Sequence, residues 1–256
     1  MSISAMINRI MRNPPAILTF FLVFLLFFTL CVYASCASQI SGSLKGDGQA
    51  DLYIYAALEP RMAALISGLA AVSGAVRPAA ILDGPAIAAS MSAAPGVASA
   101  SFKNTTTAAI EGPVKISRIG DFLAPGSKTQ SFIRFEQSPS AGGRCTVTLS
   151  LDSGPEILAL ISPEISDYLA ALMAPLATGE ALTRAEYVAL VGSVYGRGIA
   201  DEIARAFIRA YLDFPGPVQS VKGGTFSGRR AEFAIPLLDV LALETPLSYE
   251  VVWGKP

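Results

Sequence analysis

Residues 16–34 contain no charged side chain and are built largely of Ile, Leu, Phe and Val. A run of about 18 such residues is long enough to cross the hydrocarbon core of a bilayer. Residues 1–13 ahead of it carry Arg9 and Arg12 and no acid. Pro14 and Pro15 punctuate, and Ala34 and Ser35 place small side chains just before Cys36. A basic start, an apolar middle and a small-residue end are the three parts of an export signal. The basic end stays on the cytoplasmic side while the apolar run enters the membrane. No second stretch of this kind follows, so no further span is expected. The chain is predicted to divide into a signal peptide, residues 1–35, and a single extracytoplasmic domain, residues 36–256.

The junction Val32-Tyr33-Ala34-Ser35-Cys36 resembles the lipobox of bacterial lipoproteins, in which Leu and two small residues precede a cysteine. It matches at Ala34, Ser35 and Cys36 and departs at Tyr33, where Leu is usual. Cys31 is the poorer candidate, because Leu30 precedes it. The resemblance implies cleavage between Ser35 and Cys36, a diacylglycerol on the Cys36 sulfur and a further acyl chain, such as palmitate, on the new N-terminus. Each buried methylene contributes about 0.8 kcal/mol, so one chain binds marginally and two or three make a stable anchor. The implied partner is a lipid bilayer, reached through acylated Cys36, and the implied location is the cell membrane or outer membrane, facing away from the cytoplasm. Two alternatives stay open on the residues: residues 17–34 retained as an uncleaved signal anchor, or cleavage without lipid. Ala37, Ser38 and Gln39 include no acid that would name the membrane.

Composition narrows the chemistry. All 20 acids follow Cys36, whereas 2 of the 19 basic residues precede it, so residues 36–256 carry 17 basic and 20 acidic groups, a net charge of −3. Such a balance gives no electrostatic reason to expect nucleic acid as a partner. The chain has no histidine. That excludes Ser-His-Asp and Cys-His catalysis and histidine-ligated zinc or iron. No cofactor or metal is expected. With Cys36 acylated, Cys145 is the one thiol left, so no internal disulfide is available. The alternating run from Arg144 to Leu151 marks Cys145 as a small buried hydrophobe in a strand. Asp201 with Glu202, and Glu164 with Asp167, are close pairs of acids on predicted helices, where solvated faces account for them. A carboxylate-based hydrolase is therefore the least favoured class, and the domain is read as non-enzymatic.

The patterning predicts an α+β fold, a mainly antiparallel sheet packed with helices, behind an N-terminal apolar signal helix. Residues 40–58 read as a hairpin turning at Asp47-Gly48. Glu59-Pro60 opens a helix with Met62, Leu65, Ile66 and Leu69 on one face, ending at Gly74. A short helix is expected over residues 85–94 and two strands over residues 97–119. Residues 131–136 and 145–152 form a further strand pair around the loop 138–143. Helices are then expected through residues 155–212, with starts at Asp152-Ser153-Gly154-Pro155, at Ser162-Pro163, and at the capping box Thr183-Arg184-Ala185-Glu186. Tyr187, Leu190, Val191 and Val194 fall at helical spacing behind that box, and Gly196 and Gly198 break the run. Ile199, Ile203, Phe207, Ile208 and Tyr211 mark the next apolar face. Closing strands are expected at residues 218–222, 230–235 and 247–253.

The runs from Phe214 to Gly224 (FPGPVQSVKGG) and from Gly228 to Leu237 (GRRAEFAIPL) look like the closing strands of small lipoprotein domains of the LppM type. The resemblance covers about 40 residues and implies a helix-grip lipid-binding fold, with helices around an apolar groove; it assigns no binding residue. Three functions remain. One is an envelope module that binds an apolar or amphipathic ligand such as a lipid, with Tyr53, Tyr55, Phe132 and Phe135 as candidate lining. The same aromatics filling an ordinary core is the plainer reading. The second is a structural or adhesive envelope protein that binds other proteins, and the third is the hydrolase. A cavity of several hundred cubic ångströms would favour a ligand; a filled core with an exposed apolar patch would favour protein contact.

Overall fold

The predicted N-terminal hairpin opens the fold. Strands β1 (Cys36–Leu44) and β2 (Ala50–Ala57) pair antiparallel from Ser38↔Ala56 to Leu44↔Ala50. Gly48 takes φ +82° at the turn, a conformation that costs a glycine little. Lys45 N–H donates to the Gln49 carbonyl at 2.8 Å, and the Lys45 ammonium meets Asp51 at 2.7 Å. The structure is a computed structural model, and it describes residues 36–72, 80–122, 132–138, 141–153, 175 and 178–256. The signal segment with Cys31 and Ser35, the helix starts at Pro155 and Ser162-Pro163, Gly74, Glu164 and Asp167 lie outside the described residues.

Helices α1 (Pro60–Val72) and α2 (Gly84–Ser92) follow the hairpin. Asp83 caps α2 by accepting from the Ala86 amide at 3.0 Å. The stretch expected to hold two strands holds three: β3 (Val97–Ala100), β4 (Lys103–Thr106) and β5 (Ala109–Ile116). A single turn, α3 (Ile119–Phe122), leads toward β6 (Ile133–Ser138) and β7 (Gly142–Leu149), the expected pair. The capping box forms as read. Thr183 accepts from the Glu186 amide at 3.2 Å and donates its own amide to the Glu186 carboxylate at 2.8 Å, starting α4 (Arg184–Tyr195). Gly196, at φ +92°, separates α4 from α5 (Arg197–Arg205).

The helical reading fails after Arg205. Residues 207–212, expected as the end of the helical segment 155–212, lie in strand β8 (Phe207–Asp213). Ile199, Ile203, Phe207 and Tyr211 keep a spacing of four by coincidence. The backbone turns extended at Ala206, with ψ 144°, and the Phe, Ile and Tyr that follow are strand formers. The strand pairs residue for residue with β11 (Arg230–Pro236), from Phe207↔Pro236 to Asp213↔Arg230. Strands β9 (Val218–Lys222) and β12 (Leu247–Trp253) stand where expected. Strand β10 (Thr225–Ser227) and helix α6 (Leu237–Ala242) are additions that the sequence reading missed.

The strands build two mainly antiparallel sheets, so the fold is α+β. One has eight strands in the order β10-β11-β8-β1-β2-β5-β3, with β4 also on β5; the other has four, β6-β7-β12-β9. Their facing sides share one core. Phe135, Cys145, Tyr249, Val251 and Trp253 from the four-stranded sheet meet Ala210, Leu212, Ala231 and Phe233 from the larger one. The Trp253 ring lies 4.8 Å from that of Phe214 and 5.8 Å from that of Phe135. A second core lies under α2, around Phe102, Ile110, Val114 and Ile116. The third is helical: Tyr187 and Val191 of α4, Ile199 and Ile203 of α5, and Leu241 of α6, with Met62 and Leu65 of α1 against them. Of the residues at helical spacing in α4, Tyr187 and Val191 are buried, whereas Leu190 and Val194 point outward and are 42% and 61% exposed.

Candidate functional site

Alternation along three neighbouring strands produces the site. Successive side chains of a strand point to opposite faces. Phe135 of β6, Cys145 and Val147 of β7, and Val251 of β12 belong to one face, the first, second and last of them in the core between the sheets. Arg134 and Glu136, Arg144, Thr146 and Thr148, and Glu250 therefore share the other face. In register, Arg134 stands opposite Thr146, Glu136 opposite Arg144, and Thr146 opposite Glu250. Among the described residues these six and Phe132 line a cavity of about 490 Å³, within the range of small-ligand sites.

Phe132 apart, its lining residues carry polar head groups, while their apolar stems and the Phe132 ring supply about half of its surface. The Thr146 hydroxyl donates to Glu250 Oε2 at 3.3 Å, and Arg144 Nη1 lies 3.6 Å from the same oxygen. Cross-strand pairs of this kind hold side chains in place on a sheet surface. Two arginines, two glutamates and two threonine hydroxyls give the basin donors and acceptors of both charges. Such a set suits a ligand that is itself polar or zwitterionic, with Arg as the bidentate partner of a phosphate or carboxylate and the glutamates as acceptors for ammonium or hydroxyl groups.

The residues singled out in the sequence are scattered. Of the four aromatics, Phe132 alone lines the basin. Phe135 fills the core, and Tyr53 and Tyr55 belong to the other sheet. Tyr53 is 43% exposed, and its hydroxyl hydrogen-bonds Glu111, which also pairs with Lys103 at 2.8 Å. The four do not line one groove. Cys145 is half-buried on the core face, and burial pushes its thiol up to about 11, which disfavours the reactive thiolate at neutral pH. Glu202, read as solvated, instead has a structural role. Its carboxylate accepts from the amides of Arg61 and Met62 at 3.2 and 3.0 Å and caps α1. Cys36 is the first residue of β1.

Sequence reasoning overlooked the basin. Its signal was present in the alternation of Arg134, Glu136, Arg144, Thr146 and Thr148 with apolar neighbours. Nothing local joins Glu250, which lies 104 residues from its partner Thr146.

No protein-family model matches the chain, and no curated protein matches it. One solved structure that is similar is the NMR structure of the folded domain of LppM from Mycobacterium tuberculosis. It shares 10% sequence identity at a TM-score of 0.39, over 86% of this chain and 91% of that one. A likeness that distant carries neither fold nor function across, and both rest on this chain's own residues.

Proposed function

We propose that the chain is a membrane-tethered bacterial lipoprotein whose extracytoplasmic domain is a non-enzymatic binding module, anchored through acylated Cys36. One observation carries this reading. The folded domain starts where the lipobox-like junction ends: β1 opens at Cys36, and Ser38 is already paired with Ala56. A lipid on Cys36 thus leads into the sheet with no linker, across roughly 7 Å of extended chain. The ligand is bound through a polar part, in the basin of Arg134, Glu136, Arg144, Thr146, Thr148 and Glu250. The mixed charges favour a zwitterionic lipid headgroup over an apolar tail.

Metabolic labelling tests the tether. The full chain and Cys36→Ala are expressed in a bacterium with labelled palmitate, and the mature products are weighed. Label on the natural chain alone, with a mass beginning at Cys36 plus lipid, is expected. An unlabelled, uncut product overturns lipidation and leaves a single-span anchor. For the basin, soluble dihexanoyl phosphatidylethanolamine is titrated while amide shifts are followed. Shifts concentrated at Thr146 and Thr148, and lost in Arg144→Ala, are expected; shifts elsewhere or none sink the headgroup reading.

A further inference from the structure

A chain of contacts leads from the start of the N-terminal hairpin to α4, whose outward face carries no charge. Ser38 stands opposite Ala56 near the end of β2, and α1 begins at Pro60. Arg61, at the start of α1, donates its amide to Glu202 of α5. The Arg61 side chain also packs on Gly198, where an added Cβ would come within 2.9 Å of its Cδ. Gly198 follows closely on Val194, in the last turn of α4. Residues 187–196 contain no charge. Their inward face, Tyr187 and Val191, is 1% and 2% exposed, whereas the outward face presents Leu190 and Val194, 42% and 61% exposed, with Ala189 and Ser193 also exposed. Leu190 and Val194 are four apart and stack on one side of the helix. A helix apolar on both sides has an outward face that water does not favour.

We propose that Leu190 and Val194 rest in the interface of the bilayer that holds Cys36, so that α4 is a second membrane contact beside the lipid. The inference rests on the membrane tether. A link of two residues spans only roughly 7 Å, which brings the α1–α5 end of the domain to the headgroups. An apolar face at that height gains by shallow burial, as interfacial helices do. The opposite end is defined by β8, which runs away from α5 to Asp213, the partner of Arg230 beside the hairpin that carries Phe226. Phe226 then faces away from the bilayer.

Tryptophan quenching separates the ends. Trp253, the single tryptophan, is 1% exposed and serves as an internal reference. Full-length chain, Val194→Trp and Phe226→Trp are purified from membranes and placed in phosphatidylethanolamine/phosphatidylglycerol vesicles whose acyl chains are brominated near the headgroup. Both substituted sites are exposed and tolerate the larger ring. Emission from Val194→Trp is expected to be quenched, with the natural chain and Phe226→Trp unchanged. Unquenched Val194→Trp in palmitate-labelled, vesicle-bound protein overturns the docking and leaves the tether standing. Quenching in bound but unlabelled protein supports the docking with an uncleaved anchor in place of the lipid. Protein that is unlabelled and does not bind vesicles sinks the tether and the docking together.

Discussion

Glu202 and Met62 stand 140 residues apart in the chain, and the carboxylate of the first accepts the amide of the second at 3.0 Å. An acidic side chain from α5 thus fills the place a local capping residue takes at the start of α1, where amide groups lack helical partners and the dipole favours negative charge. Glu202→Ala is expected to cost about 1 kcal/mol, the usual loss for a removed cap, and Glu202→Gln less. Denaturant unfolding followed by circular dichroism reads the difference. Equal stability of Glu202→Ala and the natural chain would show that α1 does not depend on this cap.

Trp253 lies between the rings of Phe135 and Phe214 at the centre of the two-sheet core. Its Nε1 is buried without a hydrogen-bond partner. Trp253→Ala is expected to destabilise by about 3–5 kcal/mol through cavity formation. Trp253→Phe is expected to cost less than lost area alone would suggest, because it also removes an unsatisfied donor. Thermal melts of the two variants test this ordering.

Gly112 lies in β5 where the link between β3 and β4 crosses it. A Cβ there would run into the Ser101 carbonyl oxygen and come within 3.0 Å of the Phe102 Cα. These are backbone atoms and cannot swing aside. Gly112→Ala is expected to destabilise by about 1–3 kcal/mol or more, as overpacking does. Gly68, whose Cβ would meet nothing within 4 Å, is the control; Gly68→Ala, within α1, is expected to stabilise or be neutral.

Burial raises the Cys145 thiol from 9.0 to about 11. Below pH 9 both folded and unfolded chains keep the proton, and the stability tied to it is fully present. Between pH 9 and 11 the unfolded chain loses its proton first, so stability falls as pH rises, and above 11 the contribution is gone. Relative to Cys145→Ala, the natural chain is expected to lose stability across that window. A parallel pH dependence in the two proteins would show that Cys145 does not titrate in this way.

Arg144 and Glu250 line the basin with 55% and 30% of their side chains exposed. Exposed pairs contribute about 0–1 kcal/mol, so Arg144→Ala and Glu250→Gln are expected to fold with near-natural stability while weakening phosphatidylethanolamine binding. Calorimetric titration alongside a melt separates the two effects. A loss of stability matching the loss of binding would mark the pair as structural.

Local patterns settled what depends on near neighbours. Period-two alternation set the hairpin over β1 and β2 and the pair β6 and β7, and Thr183 with Glu186 set the start of α4, because each contact spans a few residues. The expected export signal lies in one continuous segment, residues 1–35, outside the described residues. Phe207 to Asp213 shows the limit. Spacing of four and alternation both fit that run, and the ladder offered by β11, whose partners run from Arg230 opposite Asp213 to Pro236 opposite Phe207, decided for a strand. The basin depended on tertiary structure for its completion by Glu250. Each strand specifies which residues face away from the core, yet Glu250 meets Thr146 and Arg144 only when β12 pairs with β7, a contact between distant parts of the chain that no local pattern encodes.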